Sequence, residues 1–247
     1  MNDGKLWRIW DIVYPIGIYF VITNVAMFLL NLVWPMTDEN YVIQQLIATA
    51  VTFPSVYAFY RKEDGGKKTT PSRTIGMAAA VALSGLVINN LIAFTNWKEL
   101  SESYQEQEAA FYGNSMLLLE LAAYALLIPL LEELLYRGIV YQRLRAWIGV
   151  RNAVIVSALI FGAMHFNFVQ FVYAGCVGIF LALCMEYGGL RAAVLAHMLT
   201  NLLSVLRSET GWFGFMKGSF SLQLVWTAAA GAMALCLVFW LWKKKET

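Results

Sequence analysis

From Ile12 to Trp34 the chain runs without one charged side chain, and four further stretches, 41–60, 74–95, 115–136 and 221–242, are comparably apolar. A helix needs roughly 20 apolar residues to cross the hydrocarbon core of a bilayer. Inside that core every backbone N–H and C=O must be satisfied by the segment itself. Such runs confine the chain to an all-α fold, a polytopic transmembrane helical bundle. Composition agrees: 60% of the 247 residues are hydrophobic and 14% are charged, against about 25% charged in a soluble domain. The first run is too long for a signal-peptide core and lacks a small-residue cleavage site, so it reads as a retained membrane helix.

Between 152 and 207 the apolar pattern is broken twice, by His165-Phe166-Asn167 and by Glu186-Tyr187-Gly188-Gly189-Leu190-Arg191. Three shorter spans result, about 153–167, 169–185 and 192–206, giving about eight membrane spans. Loop charge requires an even number as well. Arg61, Lys62, Lys67, Lys68 and Arg73 follow the second span, Arg137, Arg143, Arg145 and Arg151 the fourth, and Lys243-Lys244-Lys245 the last. The opposite side carries Asp38, Glu39, Glu99, Glu102, Glu106 and Glu108 with Lys98. Lys and Arg of short loops stay in the cytoplasm, so a multi-pass protein of the cell membrane with both termini cytoplasmic is expected.

No water-soluble domain fits between the spans, and residues 1–247 read as a single integral membrane domain in contact with the lipid bilayer. The net charge of +2 comes from the short loops and points to no nucleic-acid partner. Cys176, Cys184 and Cys236 all sit in apolar runs and are odd in number, which argues for packing rather than a disulfide framework. Small residues recur every four positions at Gly76/Ala80/Ser84, Ala174/Gly178/Ala182 and Ala228/Ala232. They let helices pack closely within the bundle. Residues 64–72 read as a flexible loop.

Chemistry concentrates in the second half. Glu132 and Glu133 stand side by side in an apolar run, and a carboxylate there costs about 2.5–3.5 kcal/mol even on the lenient insertion scale. Adjacent helical residues diverge by about 100°, so the two have different roles. Glu133 precedes Arg137 by four residues, the favourable order for an ion pair. Glu132 shares its face with Tyr136, has no basic partner in its helix and is the freer carboxylate. Pro129, one turn earlier, removes a backbone hydrogen bond beside it. The only two histidines, His165 and His197, fall in different apolar segments, and His197 projects with Asn201 from one face. A carboxylate base, imidazoles and an amide donor suit water activation and oxyanion stabilisation in peptide hydrolysis. Glu132, His165 and His197 could equally hold a divalent metal such as zinc, although no HExxH signature is present. Helix rise places Glu132 about 7.5 Å from Arg137 and His197 about 9 Å from Arg191, both near the cytoplasmic boundary. His165, about 21 Å beyond Arg151 on a straight helix, does not match them unless the Arg145–Asn152 segment dips or its span tilts.

Glu132-Glu133-Leu134-Leu135-Tyr136-Arg137, Phe161 to His165 and His197 to Asn201 stand in order as EExxxR, FxxxH and HxxxN. Together they resemble the CPBP (Abi) family of intramembrane endopeptidases, bacterial relatives of the CAAX prenyl proteases, over about residues 100–205. The resemblance implies a cavity open to the cytoplasm, with Glu132 and a histidine activating water and His197 and Asn201 stabilising the oxyanion. Glu133 joins that catalytic set, while Arg137, Phe161 and Tyr136 support it. It further implies a membrane-associated peptide or protein substrate, in peptide-pheromone maturation or bacteriocin self-immunity, and leaves a catalytic metal open. The alternatives are a non-catalytic membrane scaffold or immunity protein that retains the motifs, and a proton-coupled transporter. The first half of the chain shows no polar counterpart of the kind that repeat-built transporters carry.

Overall fold

A computed structural model of the protein describes residues 3–63, 67–111, 116–210 and 219–243. Part of the expected 64–72 loop, residues 64–66, lies outside them, as do Ser115, Lys244 and Lys245. All elements among the described residues are helical. Three long helices come first: α1 (Asp3–Val33), α2 (Asp38–Tyr60) and α3 (Pro71–Ala93). Two short ones follow, α4 (Trp97–Leu100) and α5 (Glu102–Phe111). A continuous helical run then contains α6 (Leu117–Glu120), α7 (Ile128–Leu135) and α8 (Gln142–Ala163). The bundle is completed by α9 (Phe168–Gly188), α10 (Leu190–Glu209) and α11 (Phe220–Lys243).

Five helices, α1, α2, α3, α9 and α11, are by length and composition able to cross a membrane among the described residues. The remaining apolar stretches are helical too, and they carry the charged and imidazole side chains. Large apolar side chains of α1 and α11, such as Phe28, Leu32, Leu235 and Phe239, are exposed, as a lipid-facing surface requires.

The centre of the core is the run that bears the two glutamates. Leu131, Leu135, Tyr136, Ile139 and Tyr141 are fully or almost fully buried and pack with Phe161, Leu181 and Met185. Two π-helical segments, Leu121–Leu127 and Tyr136–Tyr141, flank α7. Such segments interrupt the regular α ladder and free carbonyls for other partners. Pro129 sits in the first turn of α7, so the change from π to α geometry absorbs its missing N–H.

Gly149, with φ 77° and ψ 167°, divides α8 and redirects the chain after Arg143 and Arg145. The run from Arg151 to His165 lies wholly beyond this break, which separates it from the turn that carries Arg143 and Arg145. The α8–α9 hairpin is built on small residues, as the four-residue spacing anticipated. A Cβ on Gly178 would stand 3.2 Å from Ala158 Cα, and one on Gly162 only 2.7 Å from the Phe171 carbonyl oxygen. Backbone cannot yield as a side chain can. Gly162→Ala is therefore expected to lose about 1–3 kcal/mol through overpacking. Gly175→Ala, whose nearest neighbour would be 3.9 Å away, is expected to be tolerated. Thermal unfolding in detergent of the two variants checks the contrast.

Candidate active site

Packing of α7 against α10 brings the EExxxR and HxxxN segments together. Glu133 and Arg137 are both 0% exposed, and Arg137 Nη1 donates to Glu133 Oε1 at 2.8 Å. The same Oε1 lies 2.8 Å from His197 Nδ1. This contact sets the tautomer with Nδ1 protonated, because a carboxylate only accepts. The other ring nitrogen, Nε2, lies 3.7 Å from Glu132 Oε2. Glu132 is 17% exposed and lines a cavity, whereas Glu133 is sealed in the core. The two adjacent glutamates thus divide their work as their divergence on the helix requires: Glu133 orients His197, and Glu132 faces open space.

Phe161 joins the parts. Its ring meets Tyr136, His165 and His197 edge-on, at centroid distances of 5.1, 5.2 and 5.6 Å. The Arg137 guanidinium carbon lies 4.3 Å from the ring centre, a cation–π contact. Arg137 Nη2 also donates to the Gly178 carbonyl at 3.3 Å. His165 follows the end of α8, with Nδ1 3.0 Å from the Phe161 carbonyl oxygen. The next residue, Phe166, has φ 57°, which is unusual for a bulky side chain. This turn carries the chain past His165 into α9. Asn201 donates from Nδ2 to the Tyr124 carbonyl at 2.9 Å, within the first π segment.

Glu132, Tyr136, Phe161, His165, His197 and Asn201 all line one cavity of about 610 Å³, within the range of small-ligand sites. Glu133 and Arg137 lie behind it. Sequence reading missed Tyr19 and Thr23 of α1, Gln45 of α2, Gln107 of α5 and Arg207 of α10, which also line it. Only the four-residue spacing of Tyr19 and Thr23 within the uncharged run 12–34 hinted at such a wall. Gln107 reaches across from α5, accepting from Asn167 Nδ2 at 2.5 Å and donating to the His165 carbonyl at 3.4 Å.

The cavity runs from Glu132 toward the end of the bundle that bears α4 and α5, where Lys98, Tyr104 and Glu108 contribute to its wall. Among the described residues of the basic loops, none lines it. Their end is tied shut by Arg143–Glu63 at 2.6 Å and Arg145–Glu186 at 2.6 Å, with Tyr141 donating to Glu186 at 2.9 Å. Hydrogen bonding to Glu186 raises the affinity of Arg145 for its proton. The lining of this cavity extends toward the acidic end of the bundle. The depth estimate changes as well. Arg137 is a core residue and marks no membrane boundary; the next basic residue, Arg143, lies about 16 Å beyond Glu132.

The proposed metal candidates do not converge. Among the described residues no group of three His, Cys, Asp or Glu side chains is placed to hold a metal ion. Glu132 and His197 approach each other without His165 as a third ligand.

Residues 114–203 match the model of the Rce1-like family, described as type II CAAX prenyl endopeptidase Rce1-like. This match agrees with the resemblance that the three motifs carry. The matched stretch contains all three motifs and every residue of the Glu132–His197 cluster. Rce1-like proteins are a protease family, which supports a peptidase of the CAAX-type intramembrane kind. No curated protein and no solved structure matches the chain.

Proposed function

We propose that this protein is an intramembrane endopeptidase that hydrolyses a peptide bond of a membrane-associated peptide or protein, in peptide maturation or in self-protection against a bacteriocin. The observation that supports it most is the pair of Glu132 Oε2 and His197 Nε2, 3.7 Å apart on the wall of a cavity. That distance is too long for a direct hydrogen bond and lets both atoms contact one water. Glu132 takes a proton from this water as its oxygen attacks the peptide carbonyl carbon, and the C=O electrons move to oxygen. His165, its Nδ1–H held by the Phe161 carbonyl, assists at the water through Nε2. Asn201 and His197 stabilise the oxyanion, Asn201 through its Nδ2 hydrogens. Collapse of the intermediate breaks the C–N bond, and Glu132 passes its proton to the leaving amine.

His165→Ala tests this assignment. Removing a group that assists proton transfer is expected to lower proteolysis by about 10²-fold or more, with unchanged accumulation in the membrane. Processing at the original rate, measured by mass spectrometry of the product peptide, would refute the role.

The substrate segment reaches Glu132 from the acidic end of the bundle, since the cavity extends that way. With the basic loops in the cytoplasm, this end faces the outside. Single cysteines at Ser72, Ser103 and Thr247, in a background lacking Cys176, Cys184 and Cys236, report the orientation. An impermeant thiol reagent on intact cells is expected to label position 103 alone. Labelling at 72 or 247 instead would reverse the side of entry.

A further inference from the structure

The cavity wall holds a cation that the hydrolytic step does not use. Arg207 lies ten residues beyond His197 on α10, about 15 Å along the helix axis, and lines the same cavity. Its guanidinium Nη1 donates to Asn90 Oδ1 of α3. The orientation of that amide is fixed in turn, because Asn90 Nδ2 donates to Thr227 Oγ1 of α11 at 2.8 Å. Arg137, Arg143 and Arg145 each pair with a glutamate. Among the described residues no carboxylate forms an ion pair with Arg207. Glu108 lines the same end of the cavity, where its Oε1 accepts from the Tyr104 hydroxyl at 3.1 Å. Lys98 Nζ stands there too, donating to Asn89 Oδ1 at 2.8 Å. Adjacent asparagines of α3 thus hold two cations at the end of a cavity whose other end carries Glu132 and His197.

We infer that Arg207 is the anchor for a carboxylate of the substrate and so determines where the chain is cut. A half-buried guanidinium, held on one edge and open to a cavity, has donors suited to an incoming carboxylate, and charge-assisted hydrogen bonds are the strong ones. An extended peptide advances about 3.3 Å per residue. The span between Arg207 and His197 then corresponds to about three to five residues, allowing for the reach of the arginine side chain. The carboxylate comes either from the C-terminus of the substrate or from an aspartate or glutamate side chain within it. Arg207 is a specificity-determining residue here and takes no part in bond breaking. The inference rests on the peptidase reading for the fate of the anchored peptide, but the binding it requires is measurable without turnover.

The test uses the full-length protein in detergent, carrying Glu132→Gln to prevent cleavage. Its probe is an N-dansylated hexapeptide of alanine and leucine in three forms: free carboxylate, C-terminal amide, and amide with a penultimate glutamate. Fluorescence anisotropy is expected to show one of the acid-bearing forms binding at least about tenfold tighter than the neutral amide, a preference of about 1.4 kcal/mol. Whichever form gains identifies the source of the carboxylate. Adding Arg207→Gln is expected to bring all three Kd values within about twofold while leaving that of the neutral amide unchanged, a pattern that misfolding does not produce. If Arg207→Gln fails to accumulate, Arg207→Lys takes its place, keeping the charge without the guanidinium fork, and is expected to weaken the preference for acid over amide. Equal binding of acid and amide, no binding of any form, or an acid preference that survives Arg207→Gln would overturn the inference. Intact carboxylate-dependent binding, with no cleavage of any form by the unsubstituted protein, would sink the peptidase reading and leave the anchor standing.

Discussion

Glu132→Gln is expected to reduce peptide-bond cleavage by about two to four orders of magnitude, the usual contribution of a general base. The substitution keeps the size and shape of the side chain and removes only its ability to take a proton from water. Glu132 is partly open to the cavity, and the His197 ring approaches it only to 3.7 Å, at Nε2, beyond hydrogen-bonding distance. No buried charge is stranded by the change. Thermal unfolding in detergent and the amount of protein in the membrane should therefore match those of the unsubstituted chain. A variant that cleaves at the original rate, or one that fails to accumulate, would remove Glu132 from its role.

Arg137→Ala should act in the opposite way, through the fold first. Arg137 binds Glu133, the Gly178 carbonyl and the face of Phe161 at once, thereby linking α7, α9 and the FxxxH segment. Without the guanidinium, the wholly buried Glu133 keeps only His197 as a charged or imidazole partner. Breaking a buried pair from one side costs about 3–5 kcal/mol. Steady-state abundance and detergent melting are both expected to fall sharply, and activity to fall with them. Arg137→Lys should restore charge but not the three simultaneous contacts, and should rescue only part of the stability. Unchanged melting of Arg137→Ala would show that the Glu133–Arg137 pair does not hold these helices together.

The Glu133–Arg137 pair was legible in the sequence because i and i+4 share one face of a helix. The division between the two glutamates was legible for the same reason. The contact of His197 with Glu133 was not, since it depends on how α10 is registered against α7, and no local spacing encodes that. Arg137 looked like a membrane boundary because a basic residue after an apolar run usually is one. Burial overturned this, and the depth argument went with it. His165 seemed too far from the others because Arg151 was taken as a membrane boundary; the structure instead sets His165 against Phe161, whose ring also meets His197. The direction of the cavity was hidden for a different reason. Its wall is assembled from polar side chains scattered over α1, α2, α3, α5 and α10, which only the packing of these helices brings together.

Hydrolysis of a peptide bond by the Glu132–His197 pair is read out by a matched peptidome. Membranes from cells producing the unsubstituted protein and from cells producing equal amounts of Glu132→Gln are incubated in water enriched in oxygen-18 and their peptides compared by mass spectrometry. The expected result is a product pair found only with the unsubstituted protein, with one heavy oxygen from solvent in the new C-terminal carboxylate. Identical peptidomes from the two proteins, or the same labelled products formed by Glu132→Gln, would contradict it.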